Sequence, residues 1–121
     1  MAPQRDDSGA VYLPNRDRAR IEDGKLIGYL LNLMHTDGGP KARFFLSHGY
    51  RVDHPDVLRA DLLTHGYTHA VATTRHTPHG MRYTVSGTLT TPDGRTRLVR
   101  TVWQVDTGTD FPRLITAHPD D

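Results

Sequence analysis

The spacing of hydrophobic positions changes part-way along the chain, from helical recurrence before residue 66 to alternation after it. Leu26, Ile27, Leu30 and Leu31 recur at helical spacing behind Asp23, which predicts a helix over 24–32 with Asp23 as its cap. Pro40 suits a first helical position, so 41–46 reads as a second short helix that Gly49 closes as a C′ glycine. Pro55 opens a third helix over 55–64, capped by Asp53 or His54. Its stripe is Val57, Leu58, Asp61 and Leu62, and Gly66 is expected to stop it. Upstream, Pro14 keeps its predecessor extended and Asn15 is placed to cap a short turn over 16–19.

Strand patterns take over from there. Residues 68–75 alternate, 76–80 form a turn, and 81–90 alternate cleanly. Met81, Tyr83, Val85 and Leu89 share one face of that strand; Arg82, Thr84, Ser86 and Thr88 share the other. A strong hairpin turn at 91–94 leads into the longest strand, 95–106. Val99, Thr101, Trp103 and Val105 face opposite to Leu98, Arg100 and Val102, and the pattern leaves open which set meets the helices. A turn at 107–110 and a strand at 113–117 complete the pattern. Short links imply antiparallel pairing. The fold class is α+β: short N-terminal helices packed on a C-terminal four-stranded antiparallel sheet. One domain over 12–119 follows an expected disordered leader at 1–11.

At 121 residues with 36% hydrophobic content, the chain supports one modest core under a polar surface. It has no apolar run of membrane-spanning length and no signal-peptide stretch, so no membrane partner is expected. The absence of cysteine excludes a disulfide framework, a thiolate metal site and a cysteine nucleophile. The cytoplasm is the default location, although a substrate of a dedicated secretion system would have the same composition. The net charge of +1 conceals an uneven distribution. Between residues 71 and 105 five arginines stand against a single acid, Asp93, while 106–121 holds Arg113 against four aspartates. Such a basic sheet fits nucleic acid, or simply a solvated strand face. Of the 15 basic residues only Lys25 and Lys41 are lysine, which hints that these two are present for their chemistry.

The loop from His35 to Lys41 carries the densest candidate chemistry. Gly38 and Gly39 allow close approach to a ligand or positive φ, and the helix start beyond them offers free amides to an anion. A neutral His beside a cationic Lys supplies a base and a charge-stabilising donor for metal-free phosphate chemistry; the alternative is an ordinary turn. His76 and His79 have a metal-compatible gap, but no carboxylate-rich pattern or H-E-x-x-H accompanies them, nor His65 and His69. Thr101 is either a satisfied sheet threonine or a site hydroxyl. Trp103 is either core or a base-stacking platform. Arg113, with Thr116 near it, either clamps a phosphate or pairs with an aspartate of the acidic tail. Tyr29, Phe44 and Phe45 read as core. Walker-type, dinucleotide and G-x-S-x-G motifs are missing, which disfavours NTP hydrolysis, hydride transfer and serine-hydrolase chemistry.

Several strings resemble a small bacterial family of unknown function. They are Leu13, Pro14, Asn15; Lys25, Leu26, Tyr29, Leu30, Leu31, Asn32; and His35, Gly38, Gly39, Pro40, Lys41, Ala42, Arg43, Phe44, Phe45. Later strings similar to the same family are Thr91 with Pro92, Asp93, Gly94 and Arg95; Arg100 with Thr101, Val102 and Trp103; and Pro112 through Arg113, Leu114, Ile115 and Thr116 to Ala117. Such domains occur alone and at the C-termini of secreted bacterial toxins. Their element order resembles the barnase, EndoU, colicin and RelE ribonucleases. That resemblance implies RNA cleavage without a metal or other cofactor, by His35, Lys41, Thr101, Arg113 and Thr116, with RNA and an immunity or antitoxin protein as partners. The enzyme reading puts His35 as general base and Lys41 and Arg113 on the phosphate, and it requires these residues to converge around a cleft. The alternative is a non-catalytic module that binds protein or nucleic acid.

Overall fold

The computed structural model describes residues 4–5 and 9–120. Gln4–Arg5 (β1) pairs with Val11–Tyr12 (β2); the rest of the expected leader, 1–3 and 6–8, lies outside the described residues. A 3₁₀ turn at Arg16–Arg18 follows. Then come α1, Asp23–Lys25, running on as a π-helical turn at Leu26–Leu30; α2, Gly39–Ser47; and α3, Pro55–Thr68. Strands β3 (Val71–Thr77), β4 (Gly80–Thr90), β5 (Thr96–Asp106) and β6 (Arg113–Pro119) form an antiparallel meander in sequence order. The helices pack on one face of this sheet. Tyr83, Val85, Leu89, Val99, Trp103, Val105, Leu114 and Ala117 from that face are buried against Leu26, Leu30, Phe45, Leu58 and Leu62. Trp103 therefore faces the helices.

Local chemistry explains where the elements differ from the sequence pattern. Asp23 does not cap α1: it is the first helical residue, Glu22 is the cap, and the Asp23 carboxylate pairs with Arg59 of α3. Asn15 sits at the left-handed φ of 48° before the 3₁₀ turn, and its amide reaches the Asp110 carbonyl at 2.6 Å instead of capping. His54 is the cap residue of α3 but makes no side-chain cap bond, while Asp53 pairs with Arg51 at 2.7 Å. Gly66 does not end α3. It lets the helix lie on the indole, since a Cβ there would come within 2.6 Å of Trp103 Cζ2.

Helix α2 ends as its sequence indicates. Gly49, at φ 99°, is its C′ residue, and the Tyr50 and Gly49 amides donate back to the Phe45 and Leu46 carbonyls at 3.2 Å each. The Phe45 and Tyr50 rings meet at 5.9 Å, the apolar contact that accompanies this motif. His48 Nδ1 ties the helix end to Asp93 in the β4–β5 turn at 3.0 Å. The Thr91 hydroxyl and His48 together hold the Asp93 carboxyl down at about 2.

Candidate functional site

Among the described residues, no helix packs on the sheet's other face. Its residues stand in cross-strand rows: Thr73, Thr84, Val102 and Thr116 are paired in register, and so are Arg75, Arg82, Gln104 and Arg113. A bulge at Ile115 sets the last members of these rows, because Trp103 pairs with Leu114 while Val102 pairs with Thr116. Simple alternation from the buried Leu114 would turn Thr116 inward. The extra residue re-aims it to the open face and returns the buried Ala117 to the core.

At the β6 edge, Thr116 meets Tyr29. The Thr116 and Tyr29 hydroxyl oxygens are 3.0 Å apart, and Lys41 Nζ donates to the Tyr29 oxygen at 2.7 Å. Lys25, one turn before Tyr29, places its ammonium 4.9 Å from the ring centroid, and Lys41 places its own at 5.1 Å. Both lysines of the chain thus lie on one phenol. Burial is the largest single influence on that phenol and raises its pKa. The bonds from Lys41 and Thr116 and the charges of Lys41 and Lys25 together outweigh burial, and the pKa is lowered.

The π turn positions Tyr29. Leu31 donates to the Leu26 carbonyl at 2.8 Å, and Leu26, Leu30 and Leu31 point into the core while Ile27 is left exposed. Such turns commonly mark functional positions. The two loop glycines serve this arrangement. Neither takes a positive φ. Gly38 instead allows Tyr29 to pack on the loop, since a Cβ would lie 2.6 Å from both the Tyr29 ring and its carbonyl; a Cβ on Gly39 would lie 2.8 Å from the Leu33 carbonyl.

His35 stands edge-on to Tyr29, with centroids 4.9 Å apart. Its Nδ1 accepts the Asp37 and Gly38 amides at 3.0 and 2.9 Å, and its carbonyl accepts the Gly39 amide at 2.8 Å. These loop amides are therefore used within the loop rather than offered to an anion. Two donors on Nδ1 fix the neutral Nε2–H tautomer, in which the ring offers a hydrogen but has no free lone pair. His35 is a donor and a brace in this geometry, not a poised base.

His35, Lys41 and Thr116 thus converge on Tyr29, a residue that reads as core in sequence. The signal for Tyr29 was the placement of Lys25 four residues before it, in a chain with so few lysines. Thr101 and Arg113 do not join the cluster. Thr101 lies on the covered face, fully buried, where Trp103 Nε1 donates to it at 2.8 Å and His65 Nδ1 lies 3.0 Å away. Arg113 pairs bidentately with Asp106 at 2.5 and 3.1 Å, and that carboxylate also holds Gln104 at 2.6 Å. Among the described residues, no three His, Asp or Glu side chains are grouped closely enough to hold a metal ion.

Beside Thr116 the open face forms a groove of about 320 Å³, lined by Thr73, Arg75, Arg82, Thr84, Val102, Ile115 and Thr116. The fold is that of helices on one face of a four-stranded antiparallel meander. It is shared with a chain from the contact-dependent growth inhibition toxin–immunity protein complex of Klebsiella pneumoniae 342. The TM-score is 0.65 at 12% identity, over 83% of this chain and 98% of that one. No curated protein matches the sequence. The model of the family Domain of unknown function (DUF6883) matches residues 12–121, and the chain belongs to that family.

Proposed function

We propose that this domain cleaves RNA without a metal, as a toxin-type nuclease, at the Tyr29 cluster on the open sheet face. The observation that carries this reading is the hydrogen-bonded chain from Lys41 through Tyr29 to Thr116, set beside an arginine-bearing groove. Once ionised, the Tyr29 phenol is a base whose charge the Lys41 ammonium compensates, and the bond from Lys41 helps to lower its pKa. In the proposed step the Tyr29 phenolate takes the proton of a ribose 2′-hydroxyl. That oxygen attacks the neighbouring phosphorus, and the bond from phosphorus to the 5′-oxygen breaks. The products are a 2′,3′-cyclic phosphate and a 5′-hydroxyl, whose proton comes from solvent on this uncovered face. Lys41 stabilises the phenolate beforehand and the phosphorane oxygens in the transition state. Thr116 orients the phenolic oxygen, and the His35 Nε2–H is a further donor.

The similar fold found in a toxin–immunity protein complex supports placing this chain in a system of that kind. The open face is the surface an immunity partner would cover. Total RNA incubated in EDTA with the wild type and with Lys41→Met tests the activity. Cyclic-phosphate ends from the wild type, formed about 10²- to 10⁴-fold faster than by the variant, are expected. No cleavage, or equal cleavage by both, overturns the enzyme reading and leaves a binding module.

A further inference from the structure

Arg75 and Arg82 face each other directly in the β3–β4 ladder, on the open face. Like charges directly opposite in a sheet are unfavourable, so this pair opposes folding unless an anion sits over it. Among the described residues no carboxylate pairs with either guanidinium, and the Arg75 side chain makes no hydrogen bond or ion pair. Arg82 donates Nε and Nη2 to Gln104 Oε1 at 3.2 and 2.7 Å, a neutral acceptor.

Gln104 is only 2% exposed, and its other amide end is anchored on Asp106. The Arg82 guanidinium is therefore held from below by a buried amide, with its full charge left for the groove above. Asp106, the nearest carboxylate in this network, is occupied by Arg113 and Gln104. Both arginines line the same groove as Thr116. They stand two and three strands away from it, about 10 and 14 Å at ordinary strand spacing. One phosphate group is too small to touch both ends.

We infer that Arg75 and Arg82 form a second phosphate subsite of the Tyr29 site, so that the substrate is an RNA strand bound through at least two of its phosphates. The identity of the ligand rests on the RNA-cleavage reading above. A fluorescein-labelled, single-stranded 2′-O-methyl 12-mer of mixed sequence tests binding separately from cleavage, by anisotropy across a salt series. Arg75→Thr keeps a good strand former and removes the charge clash. It is expected to leave Tm unchanged or slightly raised, to weaken 12-mer binding about threefold to fivefold, and to flatten the salt slope by about 0.7.

Cleavage of a dinucleoside monophosphate, which has no second phosphate, is expected to lose less to the same substitution than cleavage of a long RNA does. Unaltered 12-mer binding and salt slope would overturn the subsite even if the wild type cleaves RNA. Failure of cleavage with these binding changes intact would overturn only the nuclease reading. Displacement of the 12-mer by an aspartate–glutamate peptide at equal charge would assign the arginines to an acidic protein partner and overturn the phosphate subsite.

Discussion

Each face of the sheet holds a threonine hydrogen-bonded to an aromatic side chain's polar atom: Thr101 with the Trp103 indole on the covered face, Thr116 with the Tyr29 phenol on the open one. The covered cluster is closed. The indole N–H donates to Thr101, whose own proton goes to His65 Nδ1. His65 Nε2–H is then shared between the Val99 and Gly87 carbonyls at 2.9 and 3.2 Å. Every valence has a destination, and His65 is 2% exposed. The open cluster also runs from donor to acceptor, but it ends at a half-exposed phenol beside two ammonium groups and an arginine-lined groove. The same residue type does structural work where its network is complete and is available for chemistry where the network ends at solvent.

Tyr29→Phe gives the sharpest separation. It removes the phenolic oxygen from the open cluster and leaves the ring packed on Gly38. RNA cleavage should fall about 10²- to 10⁴-fold, while urea unfolding should move by no more than about 1 kcal/mol. A large loss of stability with cleavage per folded molecule intact would reverse the roles assigned to the two clusters. Trp103→Ala on the covered face should do the opposite, costing about 3–5 kcal/mol of stability, because it empties the space beneath Gly66 and strips Thr101 of its donor.

The two threonines can then be compared at matched chemistry. Thr101→Val leaves the indole N–H and His65 Nδ1 buried without a partner, for a loss of about 1–3 kcal/mol and no change in cleavage by the folded fraction. Thr116→Val should leave the unfolding midpoint nearly fixed and slow cleavage about tenfold, as the Tyr29 oxygen loses its orienting bond. Equal behaviour of the two variants in both assays would dissolve the distinction between the faces.

The division into helices and meander is legible in sequence because the hydrophobic period itself changes and β4 alternates cleanly, whereas β5 carries apolar residues on both faces and leaves its inward side open. The division between the two threonines is not legible, for physical reasons that lie outside any local pattern. Thr116 reaches the open face only because of the bulge at Ile115, and nothing in a run of alternating residues announces an inserted one. Tyr29 reads as core because a 3.6-residue period is assumed where the backbone makes a π turn. Gly66 reads as a stop because its partner, Trp103, lies 37 residues downstream in another element. The loop from His35 to Lys41 was readable as a place of interest, whereas the role of His35 depends on two amides that fix its tautomer.

The smallest expected effect concerns pH, and it belongs to the covered face alone. Burial, the largest influence, pushes the His65 pKa below its ordinary 6.5; the charge of His69 acts in the same direction, while the Gly87 and Val99 carbonyls oppose it. Above 6.5 both the folded and unfolded chains hold this ring neutral, and its contribution is complete. As pH falls below 6.5 the unfolded chain takes up a proton that the folded one resists, so stability declines until the lower folded pKa is passed. The carboxylates act in a different window. Asp93, held at about 2, and Asp106, held down by Arg113 and Gln104, cost stability only as pH falls below their ordinary 3.8. Unfolding midpoints should therefore begin to drop between pH 6.5 and 5, before any carboxylate contributes, and His65→Gln should flatten that first decline while leaving the second. A first decline that persists in His65→Gln would mean that the closed cluster is not where the protein senses the proton.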